Sequence, residues 1–259
     1  MLPLLELCSG LTVVATDQSE EQLRILRALL DERGNSETVI CVRTDATADI
    51  FRAESFDLVI GRAILHHLID PVAALAVAHA ALRPGGVATF AEPLEGNSML
   101  MLAFRLILRE AAIRGTPLSP ALERFLNAMC TDFAARAGRD KAAEHFRYMD
   151  DKWLFTRRYL EDAASAAGFQ SVRTYPVEGG ETMFVDGATA LRFGVTYRAP
   201  DALVDYWMGV GIDIAALGEE PFPPFARELL ELCDRSFSND MKDDLTLSAN
   251  LVFEKIAES

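Results

Sequence analysis

Several features that would mark a protein class are scarce in this chain. Its four cysteines, Cys8, Cys41, Cys130 and Cys233, are far apart and form no C-x-x-C pair. Neither a zinc–thiolate cluster nor a disulfide framework follows from them, no metal site is expected, and a reducing, cytoplasmic setting fits best. No apolar run is long enough to span a bilayer, and Met1 to Leu7, although apolar, lacks the basic start and the length of a signal peptide. A membrane is therefore not an expected partner. Positive charge is also short: 25 Lys and Arg stand against 39 Asp and Glu, a formal net charge of −14. Such a surface repels phosphate backbones, so nucleic acid is not an expected partner either. The densest basic stretches, Arg105 to Arg114 and Arg136 to Lys141, are interleaved with apolar or acidic residues and read as helix faces. Internal repeats and low-complexity tails are absent, and nothing in the sequence sets the oligomeric state.

What is present is an alternation of strand and helix patterns over the first ninety or so residues, the signal for a parallel sheet covered by helices. Leu11 to Asp17 is a β-branched run ending in a carboxylate. Ser19, with Gln22 three residues on, makes a capping box for a helix whose apolar stripe is Leu23, Leu26, Leu29 and Leu30 and whose stop is Gly34. Strands are expected over Thr38 to Val42 and Phe56 to Ile60. Asp70-Pro71 starts a further helix. Arg83-Pro84-Gly85-Gly86 is expected to stop it before a strand over Val87 to Ala91. Beyond Glu92 the pattern turns helical, over Met99 to Arg114 and Ser119 to Ala137. Thr156 caps another helix that ends at Gly168, a strand follows over Ser171 to Val177, and residues 187 to 240 read as mostly helical. Alternation from Leu245 to Phe253 marks a closing strand.

Candidate functional residues fall at the carboxyl ends of successive strands, where open α/β sheets bind ligands. Asp17, beside Gln18, can accept both hydroxyls of a ribose, or can simply be a solvated aspartate at a helix entry. Asp45 can accept an adenine amine while the Ala46 amide faces a ring nitrogen, or can be a turn aspartate. Gly61 and Arg62 lead into Leu65-His66-His67-Leu68, where either histidine is a candidate base or ligand contact, against one packing beneath the loop and the other lying exposed. His79 and His145 read as structural. Met99, Met101, Phe104 and Phe133 could line an apolar pocket, although such a stripe more often forms core. Asp151-Lys152-Trp153 could sit at a cleft rim, with Trp153 a packing anchor.

Taken in order, V-V-A-T-D-x-S-E-E-Q-L, T-D-A, S-F-D-L-V-I, L-H-H-L-x-D-P and L-R-P-G-G-V closely resemble class I S-adenosylmethionine-dependent methyltransferases of the broad small-molecule type. Glu92-Pro93 and the run from Phe155 to Phe169 add to the likeness. It covers roughly 1–97, 150–178 and 244–257, the expected Rossmann-like core, with 98–149 a helical insertion and 179–243 a second one, a possible cap over the acceptor. The resemblance implies S-adenosylmethionine as cofactor, held by Asp17, Gln18, Asp45, Ala46, Gly61, Arg62 and His66. The implied acceptor is a small molecule, with His66, His67 and Glu92 as candidates for removing its proton. The N/D-P-P-Y/F signature of amino-nitrogen methylation is not present after Ile60.

The resemblance also shows what is missing. The family opens with a strand, an acidic residue and a G-x-G-x-G loop around the methionine part of the cofactor. Only Met1 to Gly10 precede Leu11 here. Two parallel strands need a crossover of about a dozen residues, so Leu2 to Cys8 is read as the tail of a crossover helix stopped by Gly10. The expected fold is thus an α/β sheet of this type without its usual first strand and glycine loop, with helical insertions. The strands at Leu11 and Phe56 must then pair directly, leave a gap or borrow a strand, and cofactor binding is expected to be weak. A non-catalytic methyltransferase-like binding protein and, last, a nicotinamide-dependent oxidoreductase are the alternatives.

Overall fold

A computed structural model describes residues 5, 8, 10–138, 140–141, 143–177, 182–189 and 222–256. Most of the expected helix tail at Leu2 to Cys8 and most of the helical reading of 187 to 240 fall outside these residues.

Strand β1 (Val13–Asp17) lies parallel to β2 (Val39–Arg43), with Asp17 opposite Arg43. Helix α1 (Glu20–Glu32) connects them. Ser19 caps it as expected, its hydroxyl accepting from the Gln22 amide at 3.3 Å, and Leu23 and Leu30 are its buried residues. Gly34 follows at φ +69°, the left-handed turn that ends helices and suits a residue without Cβ.

The next unit runs β3 (Phe56–Arg62), a short 3-10 turn over Leu65–His67, α2 (Pro71–Ala81) and β4 (Leu82–Pro93). Asp70 accepts from the Ala73 amide at 3.0 Å and Pro71 opens α2. Here one expectation is corrected. Arg83-Pro84-Gly85-Gly86 does not separate helix from strand; the strand begins at Leu82, directly after α2, and the four residues lie inside it. They form an irregularity, because Phe56 faces Leu82 while Leu58 already faces Val87. Gly85, at φ +81°, permits that bulge. Its amide donates to the Lys255 carbonyl at 2.7 Å and the Lys255 amide donates to the Gly86 carbonyl at 3.1 Å, so the bulged backbone stays satisfied.

Thr156 caps α5 (Arg157–Ala166), accepting from the Tyr159 amide, and β5 (Ser171–Pro176) follows. Strand β6 (Ser248–Glu254) inserts antiparallel between β4 and β5, completing a four-stranded sheet of order β3-β4-β6-β5. The α/β class read from the sequence is the class observed. Leu65, Leu75, Leu82, Phe155, Leu160 and Phe253, each at most 1 % exposed, build the core between this sheet, α2 and α5. A second core is helical. In it α3 (Gly96–Arg114), α4 (Pro120–Arg136) and α6 (Pro224–Ser236) enclose Phe104, Phe125, Leu126 and Leu230. Phe104 and Phe133 are core residues of this cluster, and Met99 and Met101 pack partly buried against it.

Among the described residues no ladder joins β1 to β3: the sheet is split into a two-stranded and a four-stranded part. Of the three outcomes open to these strands, a gap is the one observed. No helix of the described residues is long and apolar enough to cross a membrane.

Candidate active site

The gap between β1 and β3 is an open cleft with a cavity volume of about 160 Å³. Val14 and Thr16 of β1 line one side and Leu58 and Ile60 of β3 the other, with Asp45 and Ala46 at the end of β2. The polar rim forms because β1 and β2 run in register, so the residues just past their carboxyl ends meet. The Gln18 amide nitrogen donates to Asp45 Oδ2 at 2.5 Å, and Arg43 Nε donates to the Gln18 carbonyl at 3.0 Å. Asp17, the next residue after Thr16, is exposed and accepts from the Ser19 amide at 2.7 Å. Asp45 Oδ1 accepts from the Thr47 amide and hydroxyl at 2.8 and 2.7 Å, and these two bonds hold its carboxyl below the usual carboxylate range. Asp45 and Ala46 line the cleft and Gln18 reaches Asp45 from beside it, whereas Asp17 and Gln18 are not among the lining residues.

Gly61 lines the cleft and Arg62 is exposed beyond it. A Cβ on Gly61 would come within 2.3 Å of the Phe90 ring, so close packing of β3 on β4 explains the glycine without a ligand. The chain then turns sharply at Ala63, whose φ of +52° costs an L residue on the order of 1 kcal/mol. The turn aims three successive amides at one point. Glu92, whose side chain is fully buried, fills that point: Oε1 accepts from Ile64 at 3.1 Å and Leu65 at 2.9 Å, and Oε2 from His66 at 3.2 Å. The backbone makes an anion nest occupied by the protein's own carboxylate.

His66 Nδ1 lies 2.6 Å from Glu92 Oε2, and its Nε2 lies 3.3 Å from Asp151 Oδ1. Burial disfavours the imidazolium, but Asp151 and Glu92 on its two nitrogens outweigh burial and raise the pKa. Burial would raise Asp151 in turn, yet His66 and Arg136 bring it down to about 2. Arg136 Nη1 is 3.2 Å from Asp151 Oδ2 and 3.0 Å from Asp132. His67 Nδ1 lies 2.9 Å from the Asp150 carbonyl and 3.3 Å from Asp151 Oδ1.

The segment 150–153 is stitched to the histidine turn along its length. The Lys152 amide donates to the His66 carbonyl at 2.7 Å, and Trp153 Nε1 donates to the Leu68 carbonyl at 2.7 Å. Trp153 is 4 % exposed and stacks between Phe155 and Tyr159, an anchor as well as a hydrogen-bond donor. Ile64 and Leu65 line the cleft; His66, His67 and Glu92 are not among its lining residues, the two histidines facing Asp151 and Glu92 facing the turn's amides and His66. Sequence reasoning missed Asp151 as a partner of the histidines, although it placed the segment at a rim. It also took Arg136 and Lys141 for a helix face, whereas they are 6 % and 5 % exposed. Lys141 sits over the rings of Phe146 and Trp153, at 4.5 and 5.0 Å from their centroids. The available signal for Arg136 was its place at the end of an otherwise apolar helix face.

Residues 1–90 match a family described as Methyltransferase domain. A ubiquinone biosynthesis O-methyltransferase of Parvibaculum lavamentivorans is 27 % identical over 155 residues, which is 57 % of this chain and 59 % of that protein. The matched stretch therefore spans less than two thirds of that relative. Among solved structures, one described as a sarcosine dimethylglycine methyltransferase from Galdieria sulphuraria superposes with a TM-score of 0.50 at 9 % identity, over 98 % of this chain and 74 % of that one. Another is a phosphoethanolamine N-methyltransferase 2 of Haemonchus contortus in complex with S-adenosyl-L-methionine, with a TM-score of 0.48 at 15 % identity, over 100 % of this chain and 46 % of that one.

Proposed function

We propose, from a first ninety residues that belong to the methyltransferase domain family, that this chain binds S-adenosylmethionine through its nucleoside and serves methyl transfer to a small molecule. The observation that carries the reading is the Gln18–Asp45 contact beside the cleft, at the carboxyl ends of β1 and β2, where Asp17 also stands. Asp17 would take the ribose hydroxyls with Gln18 beside it. Asp45 would take the adenine amine, and the Ala46 amide a ring nitrogen. Gly61, with Arg62 beyond it, completes the proposed contacts on the β3 side, while His66, the other expected contact, lies outside the cleft lining and faces Asp151. The cofactor supplies a methyl group on a sulfonium with a thioether leaving group, so the chain's own task is to position the acceptor and exclude water. Where the acceptor carries a proton, the cluster of His66, His67, Glu92 and Asp151 is the group that meets it. Glu92 and the His66 ring hold the cluster in place; His67 and Asp151, both half-exposed, face outward.

The nucleoside side fits the residues present. No glycine-rich loop stands opposite it among the described residues, and the cleft is open between β1 and β3. We therefore expect the 259-residue chain to bind the cofactor weakly. Titration with S-adenosylhomocysteine, followed by amide NMR signals, tests both parts. Saturable binding weaker than micromolar, with shifts at Thr16, Asp45 and Ala46, is the expected result. Micromolar affinity would overturn the impairment, and no binding at millimolar ligand would overturn the cofactor. Displacement by NADH at the same signals would favour a nicotinamide cofactor. The reading of the chain as a non-catalytic binding protein is supported by Glu92, whose carboxylate oxygens are already engaged by three backbone amides and the His66 ring.

A further inference from the structure

We infer that His66, His67 and Asp151 form a site for a divalent transition metal of the zinc class. The inference rests on ligand geometry and is independent of methyl transfer. A side-chain atom from each of the three lies within 4.8 Å of those of the other two. His66 Nε2 and His67 Nδ1 are each 3.3 Å from Asp151 Oδ1. That separation is long for a charge-assisted hydrogen bond. It matches the ligand-to-ligand edge of a tetrahedron, about 3.3–3.4 Å when metal–ligand bonds are about 2.0–2.1 Å. An octahedral arrangement with the same bonds needs an edge of about 3.0 Å.

The surroundings are those a metal site requires. A ligating imidazole is ordinarily oriented by a carboxylate on its other nitrogen, and Glu92 holds that place on His66 Nδ1 at 2.6 Å. The carboxylate ligand is likewise fixed from behind, because Arg136 engages Asp151 Oδ2 at 3.2 Å and leaves Oδ1 toward the histidines. The guanidinium is itself paired with Asp132 at 3.0 Å, which offsets its repulsion of a cation. The two ligand segments are locked together by the Lys152 amide on the His66 carbonyl. Binding would exchange one existing contact, the 2.9 Å bond between His67 Nδ1 and the Asp150 carbonyl, for a metal bond. His67 and Asp151 remain half-exposed, so a fourth position would open outward, the arrangement of catalytic rather than structural zinc. The metal's charge would lower the pKa of a hydroxyl bound there, which could then release its proton to solvent water at the open face.

The test uses the full chain without an affinity tag, stripped with chelator and titrated calorimetrically with Zn²⁺, with Mg²⁺ as the hard-cation control. Saturable binding of one Zn²⁺ per chain at micromolar affinity or better, without Mg²⁺ binding, is expected. Co²⁺ should give the intense visible absorption of four-coordinate cobalt. His67→Ala and Asp151→Asn should each weaken Zn²⁺ at least about tenfold, and Glu92→Gln by about tenfold through His66. His67 is half-exposed, so its variant is expected to keep the wild-type circular dichroism and melting profile, which separates ligand loss from unfolding. No saturable Zn²⁺ binding by about 100 µM, or unchanged affinity in His67→Ala, overturns the site. Weak six-coordinate cobalt bands overturn its tetrahedral geometry.

Discussion

Asp151 stands 3.3 Å from His66 Nε2 while Glu92 takes the other nitrogen of the same ring at 2.6 Å, so one buried imidazole ties β4 and the segment before α5 to the turn after β3. Three residues that are distant in sequence thereby share one polar knot, and its members are testable one at a time.

Asp151→Asn keeps the size of the side chain and removes its charge. The carboxylate is only half-buried, so solvent screening limits the loss, and we expect destabilisation of about 1–2 kcal/mol. Urea unfolding should show a lower midpoint with an unchanged slope. An unchanged midpoint would mean that Asp151 contributes nothing to holding the segment.

Glu92→Gln should cost more, about 2–4 kcal/mol, because its new NH₂ group must face amides that can only donate. The predicted consequence is local as well as global. Hydrogen exchange at Ile64, Leu65 and His66 should accelerate more than exchange along α4. Uniform acceleration would count against the anion nest as a distinct feature.

Gly61→Ala places a methyl group against Phe90 and should cost about 1–3 kcal/mol. In a Phe90→Leu background the same substitution should cost less. If the two changes simply add, the contact between them is not the cause.

Asp45→Ala and Asp17→Ala should each weaken S-adenosylhomocysteine binding about tenfold or more, since each removes a charged acceptor. Both side chains are exposed, so melting temperature should hardly move. A large loss of stability with unchanged affinity would reverse the assignment.

His79 supplies a pH dependence. Burial first, and then the ammonium of Lys255, hold its pKa below the ordinary imidazole value of 6.5. Its Nε2 is buried without a hydrogen-bond partner, and the ring meets Phe169 edge-on at 5.0 Å between centroids. The unfolded chain therefore takes up the proton more readily than the folded one. The stability that neutral His79 contributes is complete above about pH 6.5 and is lost as pH falls toward its lower folded value. The urea midpoint of the wild type should thus drop relative to His79→Gln on acidification from neutral pH to about pH 5. A midpoint difference that stays constant over that range would contradict it.

The elements of this fold were legible because their signals are local. Ser19, Asp70, Ser119 and Thr156 each accept the helix amide that their sequence position implies. That the ends of β1 and β2 lie together, with Gln18 on Asp45, was legible too, since parallel neighbours end side by side. Two things were not. The Arg83 to Gly86 stretch has the composition of a helix stop, yet its conformation is set by Lys255, which lies far off in sequence. Arg136 looked like surface because its partners, Asp151 and the Trp153 carbonyl, belong to a segment some fifteen residues on. Pairings that depend on where two segments cross in space leave no periodic trace.

Among the described residues, β1 and β3 have ladder partners on one side only, and their other flanks look at each other across the cleft. Main-chain groups on those flanks must trade hydrogen bonds with water, and Leu58 and Ile60, at 43 % and 56 % exposed, lie beside them. Two bordering strands without a companion make a template for any extended chain that drifts in. At high concentration, self-association of this protein should start there, and charged replacements at Leu58 or Ile60 should suppress it.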